Sequence, residues 1–266
     1  MAKLWRDAED LSDRRAKRGI ARSLIRAERF PRRQGRLAFA YLVSNRSRQT
    51  TRDELVDLLW PQHTPRAFDA ALSALVSKLR SVLAGAGLSR YALTAADRCY
   101  QLHLPADSWI DTEVAIEAVH ASEAALRSGS HKRAYGPAVV ACAILRRRFL
   151  PGDDGSWIDE IRQSLLAGRL RALDCLAEIH SWNLEPPLAL RAAEEAVSLE
   201  PYRDAGYRRL MQIHKLAGNP AEAIRVYERL SRLLAIDLGM RPAPETQALL
   251  ESIGASALLT PPVKNV

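Results

Sequence analysis

Residues 51–87 read TRDELVDLLWPQHTPRAFDAALSALVSKLRSVLAGAG. They carry two helix starts, two helix stops and one polar face. Thr51 and Glu54 have the spacing of a capping box, in which the hydroxyl takes the amide three residues on and the carboxylate reaches back. The helix this opens runs through Leu55, Leu58 and Leu59 to Trp60, and Pro61 stops it. Thr64-Pro65 predicts a second start, with Thr64 as N-cap and Pro65 at the first helical position, where a missing N–H costs nothing. That helix is predicted over 65–84. Its apolar stripe is Phe68, Leu72, Leu75, Leu79 and Val82 or Leu83, and its opposite face carries Asp69, Ser73, Ser77, Lys78 and Arg80. Gly85 and Gly87 end it.

Upstream, residues 34–44 place Leu37, Ala38, Tyr41 and Leu42 at helical spacing before a polar break, SNRSRQ. Downstream the period changes to two. Tyr91 to Thr94, a turn at Ala95–Asp97, and then Tyr100, Leu102 and Leu104 alternating with Gln101 and His103 predict a hairpin. Three helices and a hairpin wing over 34–105 outline a winged helix-turn-helix. From Pro105 onward the pattern is helical and rich in alanine. Ala223 and Tyr227 lie 34 residues after Ala189 and Ala193, with Gly218-Asn219-Pro220 as the turn between paired helices. This period, with small residues where helices cross, is the tetratricopeptide pattern. Ala138 and Cys142 read as an earlier copy out of phase with Ala189, and Leu150 to Gly155 reads as a loop. The expected fold is therefore mainly α, a winged helix-turn-helix followed by an all-α tetratricopeptide-like array over 106–254. Residues 1–33 form a basic segment, in which Ile20 to Phe30 fits either an edge strand or a fraying helix, and 255–266 form a flexible tail.

The charge is uneven. The chain has a net charge of +8, but residues 1–104 hold 20 Lys/Arg against 10 Asp/Glu, a net of +10, leaving −2 for the rest. A polyanion partner for one end fits this asymmetry, and so does a solvated basic tail. Cys99, Cys142 and Cys175 are far apart with no CxxC pairing, so neither a zinc knuckle nor a disulfide framework is indicated. The six histidines show no metal spacing. No HExxH, GxSxG or Gly-rich phosphate loop occurs, so no catalytic residue, cofactor or metal is expected and the enzyme reading is set aside. No apolar run reaches the roughly 20 residues a membrane span needs, and the start of the chain is charged rather than signal-like. A cytoplasmic protein without a membrane partner is expected.

Taken together, the stretches RDELVDLLWP (52–61), ALSALVSKLRSVL (71–83), YQLHLP (100–105), WIDEIR (157–162), SLEPYRDAGYRRLMQIHKLAGNPAEAIRVYERL (198–230) and DLGMRPAPET (237–246) resemble the antibiotic regulatory proteins of actinobacteria. In that family a response-regulator-like winged helix precedes a bacterial transcriptional activation domain. The resemblance covers roughly 34–252, and its last block is the most specific. Two departures stand out. The strands that usually precede the first helix are replaced by the basic segment 1–33, and Arg98-Cys99-Tyr100-Gln101 stands where the wing usually has Gly-Tyr-Arg.

The resemblance implies double-stranded DNA as a partner, with RNA polymerase and a second copy on tandem sites as further candidates. It implies that the helix at 65–84 enters the major groove, with Ser73, Ser77, Lys78 and Arg80 facing the bases and Arg66 at its N-terminal end. Thr51 and Arg52 at a helix N-terminus, with Arg46 and Arg48 just before it, are candidates for phosphate. Arg98 is the candidate of the wing. The run Arg14, Arg15, Lys17, Arg18, Arg22, Arg26, Arg32 and Arg33 would add sequence-independent attraction. The plainer reading of the 65–84 face is an ordinary solvated surface. Trp60, Trp157, Trp182, Tyr207 and Tyr227 read as packing residues. Two rivals to a DNA-binding regulator are a protein-interaction module whose winged helix no longer binds DNA specifically, and an output module of a larger signalling protein.

Overall fold

The computed structural model describes residues 30 and 32–258, apart from residue 90. The predicted edge strand or helix at 20–30 and the basic run from Arg14 to Arg26 lie outside the described residues, Phe30 excepted. The elements are α1 (Arg32–Ser44), β1 (Thr50–Thr51), α2 (Arg52–Leu59), α3 (Phe68–Gly85), β2 (Leu93–Ala96), β3 (Cys99–Leu102), α4 (Asp111–Arg127), α5 (His131–Leu145), α6 (Ser156–Trp182), α7 (Pro186–Leu199), α8 (Asp204–Leu216), α9 (Pro220–Leu238) and α10 (Pro244–Leu258). Among the described residues they fall into two compact units, one within 30–114 together with 147–164 and one of 115–146 with 165–258. The first unit therefore takes in a segment that the sequence assigns to the 106–254 array.

In the first unit α1 is buried round most of its circumference. Leu37, Ala38, Phe39, Ala40, Leu42 and Val43 are all core, and α1 packs on α2, α3 and β3. The capping box forms as expected: the Glu54 amide donates to the Thr51 hydroxyl, and the Thr51 amide donates to the Glu54 carboxylate at 2.6 Å. Helix α3 starts three residues later than expected. Thr64 is not its cap; Ala67 is, and no side chain caps the helix. The reason is the turn that Pro65 makes, in which the Phe68 amide donates to the Pro65 carbonyl at 3.0 Å, so Arg66 belongs to the turn and not to the helix. Its core face is Leu72, Leu75, Val76, Leu79 and Leu83, which settles Leu83 over Val82.

The hairpin turn also comes later than expected, since Ala95 and Ala96 belong to β2 and not to the turn. Asp97 and Arg98, at φ 50° and 60°, form the two-residue tip between β2 and β3, the backbone twist that matches paired strands. The sheet has a third strand that the sequence hid. β1 pairs antiparallel with β3, Thr50 opposite Tyr100 and Thr51 opposite Cys99, giving the order β1-β3-β2. Segment 147–164 closes the unit. Phe149 and Trp157 meet edge to face at 5.7 Å, and Trp157 meets Tyr41 of α1 at 5.0 Å. The Arg162 guanidinium donates to the carbonyls of Phe149, Leu150 and Asp153 at 3.1, 2.9 and 2.7 Å, and Asp153 accepts from Arg33 Nε at 2.7 Å. A loop of that sequence is fixed only because its carbonyls find these donors.

The second unit is all-helical. Within it α6 presents two stripes at helical spacing: Ala172, Cys175 and Ile179 pack against α4 and α5, while Leu170, Leu173 and Ala177 pack into the core of α7 to α10. Ala134, Ala138, Ala141, Ala189, Ala193 and Ala223 are fully buried or nearly so, and such small side chains let helix axes approach closely. Ala189 and Ala223, 34 residues apart in the sequence, are both fully buried. Helix α8 packs against α7, α9 and α10. Gly218 and Gly239, both at positive φ, end α8 and α9, as C-terminal glycines do. Trp182, expected in the core, is instead 53% exposed and stacks on His131 at 4.6 Å.

Candidate nucleic-acid interface

The candidate residues separate into three places. The first is the outward face of α3, where Ala70, Ser73, Ala74, Ser77, Lys78 and Ser81 are all exposed. Apart from Lys78, and Asp69 in the first turn, which pairs with Arg52, this face is small and uncharged, with the buried side chains of the helix at Leu72, Leu75, Val76, Leu79 and Leu83. Neither Ser73 nor Lys78 has a partner among the described side chains. Arg66 is exposed in the turn before the helix.

The second place is the corner where β1, the start of α2 and the wing tip meet. The Arg98 carbonyl accepts from the Arg52 amide at 2.8 Å, so the hairpin tip is tied to the helix start. This brings Arg46, Arg48, Thr51, Arg52 and Arg98 together. Their charges are largely matched. Arg46 makes a bidentate pair with Glu113, one arm at 2.7 Å. Arg48 pairs with Glu54 at 2.7 Å, and Arg52 pairs with Asp69 and lies over the Phe68 ring at 5.5 Å. Arg98 is 76% exposed and only 3.6 Å from an equally exposed Asp53, an interaction of little worth in water. The hydrogen bonds to Glu113 and Glu54 raise Arg46 and Arg48 above the usual guanidinium range. The hydrogen bond from Arg48, with those from Thr51, holds Glu54 down at about 2.

The start of α2 thus offers an anion less than the sequence implies. Its Thr51 hydroxyl and the amides of Thr51, Arg52 and Glu54 are already engaged, and Asp53 and Glu54 bring negative charge to the first turn. The third place is Arg80. It is half-buried rather than outward, and its Nε donates to the Leu93 carbonyl at 3.0 Å. Arg80 therefore ties α3 to β2 of the hairpin. Arg162, Asp153 and Glu113 do not stand out in the sequence. Arg162 belongs to the WIDEIR block and acts on a loop 9–13 residues before it, whereas Asp153 and Glu113 act through Arg33 and Arg46, far away in the chain.

Among the described residues no group of His, Cys, Asp or Glu is placed to hold a metal ion, and no helix is long and apolar enough to cross a membrane. Burial pushes the Cys142 thiol up to about 12 and raises Cys175 as well, so both stay protonated at neutral pH and are poor nucleophiles.

A family model, the bacterial transcriptional activator domain, matches residues 110–254. The chain belongs to that family. Similar curated proteins carry regulatory names. The chain is 30% identical over 221 residues to the transcriptional regulatory protein EmbR of Mycobacterium tuberculosis, covering 82% of this chain and 56% of that protein. It is 28% identical over 223 residues to the regulatory protein AfsR of Streptomyces coelicolor, covering 83% of this chain and 22% of that protein. The chain thus spans about half of EmbR and less of AfsR. A solved structure of Mycobacterium tuberculosis EmbR in complex with a low affinity phosphopeptide superposes with a TM-score of 0.78 at 27% identity, over 84% of this chain and 59% of that one. These relatives are regulators of the antibiotic-regulatory-protein type, and the chain shares the mainly helical fold of the EmbR structure.

Proposed function

We propose that this chain is a cytoplasmic, sequence-specific DNA-binding regulator that activates transcription, with the first unit as a winged helix on DNA and the second as a tetratricopeptide-like array. The observation that carries this is the outward face of α3. A helix entering the major groove must come close to base edges, and its small serines and alanines leave room for that approach. Ser73, Ser77 and Lys78 then meet bases, Lys78 suiting a guanine edge or a phosphate, and Arg66 meets the backbone beside the helix start. Arg98, on the wing tip, reaches the neighbouring minor groove or its phosphates. Arg80 acts indirectly by holding the wing. Arg46, Arg48 and Arg52 contribute only as far as DNA draws them from Glu113, Glu54 and Asp69. The helical array would contact RNA polymerase or a second copy on a tandem site.

A second reading has an observation of its own. The pairing of Arg46, Arg48 and Arg52 with carboxylates favours a protein-interaction module whose winged helix no longer selects DNA sequence. Selection of duplexes from a randomised library by the intact protein separates the two. A DNA reader recovers a discrete motif, and Lys78→Ala weakens binding to it by about 1–3 kcal/mol while relaxing preference at one position. Recovery of no motif, with Lys78→Ala silent, would establish the interaction module instead.

A further inference from the structure

Most arginines of the first unit have an acceptor at hand, although the exposed contact of Arg98 with Asp53 counts for little. Arg33, Arg36, Arg46, Arg48, Arg52, Arg98 and Arg162 each have a carboxylate within ion-pair reach, and Arg80 has a carbonyl. Arg147 and Arg148 are exceptions. Both are exposed, and no described side chain pairs with either. Adjacent like charges repel, so a chain that keeps two together without a counter-ion leaves a site of positive potential.

The backbone that follows them is tied down. The next two residues, Phe149 and Leu150, are buried, and their carbonyls are held by the Arg162 guanidinium. Its location is also fixed. Phe149 touches Trp157, Trp157 touches Tyr41, and the Tyr41 hydroxyl donates to Glu54 at 3.3 Å. Glu54 closes the capping box at the start of α2. The paired arginines are therefore linked through a short chain of side chains to the flank that carries Arg48 and Thr51.

We infer that Arg147 and Arg148 are a phosphate-binding site for duplex DNA, gripping the backbone outside the segment that α3 reads. The inference rests on the DNA-binding reading above and deepens it. It assigns a DNA-facing role to a segment that the sequence places with the activation domain. Guanidinium groups suit phosphate oxygens, and they act as charge without base preference. The arginines thus add affinity and salt sensitivity but no sequence selection.

The test uses the full chain, the duplex recovered by library selection, and the same duplex trimmed to its recognised core, across a salt series. Arg147→Gln with Arg148→Gln should lower affinity for the long duplex on the order of tenfold, and should remove about 1.8 from the slope of log affinity against log salt, about 0.9 for each phosphate released. Affinity for the trimmed duplex and the base preferences should not change. Arg147→Lys with Arg148→Lys should keep binding, since phosphate accepts a point charge. Each single Gln variant should remove about half of the slope change, which keeps the test valid if the double variant does not fold. An unchanged salt slope, an equal loss on the trimmed duplex, or Lys variants as weak as Gln variants would overturn the inference. A wild-type chain that recovers no motif would instead bring down the DNA-binding reading itself.

Discussion

The Glu54 carboxylate has three partners at once: the Tyr41 hydroxyl at 3.3 Å, the Arg48 guanidinium at 2.7 Å and the Thr51 amide at 2.6 Å. The spacing of Thr51 and Glu54 is legible in the sequence; the roles of Arg48 and Tyr41 are not, because they depend on how α1 lies across α2. The consequence is a pH dependence with a definite sign. Glu54 titrates at about 2 in the fold, against an ordinary 4.5, so its contribution is complete above pH 4.5 and is lost as pH falls from there toward 2. Glu54→Ala should cost about 1 kcal/mol at neutral pH and flatten that part of the acid limb, as measured by urea unfolding at a series of pH values. An acid limb identical to that of the wild type would exclude this role. Arg98 makes a contrasting case. It occupies a left-handed position at φ 60°, where glycine sits more easily. Arg98→Gly should therefore stabilise the hairpin by about 1 kcal/mol and weaken duplex binding, seen as a higher melting temperature with a lower affinity. Loss on both counts would mean that the side chain serves the fold.

At the scale of elements, local signals are legible where they are self-contained and obscure where distant partners decide. The apolar stripe of α3, the stop at Pro61 and the glycine ends of α8 and α9 need only their own neighbours. Strand β1 is two residues long and forms only because β3 lies beside it, so no period could reveal it. The block at 237–246 is distinctive in the sequence without showing why. The structure supplies the reason: Asp204, at the start of α8, accepts from the Ala243 amide at 3.1 Å and the Thr246 hydroxyl at 2.6 Å, while Arg208 donates to that hydroxyl at 3.0 Å. Thr246 is thereby buried with its polar atom satisfied. Close packing of α8 on α7 gives a sharper test. A Cβ on Gly206 would lie 2.9 Å from Cγ2 of Val197, a branched side chain with no room to turn in a helix. Gly206→Ala should destabilise by about 1–3 kcal/mol through overpacking, even though alanine is the better helix former by about 1 kcal/mol. At Gly168 the added methyl would meet the flexible end of Ile116 at 2.8 Å, so Gly168→Ala should be much milder. Comparing the two melting temperatures isolates the effect of packing, and equal changes would refute it.

For the molecule as a whole, the charge asymmetry is plain in the sequence, but its division between reading and attraction is not. Most arginines of the first unit are matched by carboxylates, so the excess positive charge near α3 is smaller than a count of residues implies. Much of what remains unmatched lies at Lys78, at Arg66, at Arg147 with Arg148, and in residues 1–29, which hold 9 Lys/Arg against 5 Asp/Glu. These groups should act differently. Lys78 sits on the face that chooses sequence, whereas a basic segment acting through charge alone attracts every phosphate equally. Deleting residues 1–29 from the chain should therefore lower affinity for recovered and scrambled duplexes by the same factor. It should also make the salt dependence shallower by about 0.9 for each phosphate that the segment had neutralised, and leave the ratio of the two affinities untouched. Lys78→Ala should do the reverse, narrowing that ratio with a smaller change in slope. A deletion that narrowed the ratio would place base readout in the segment itself, and one that left the slope unchanged would show that the segment does not touch DNA.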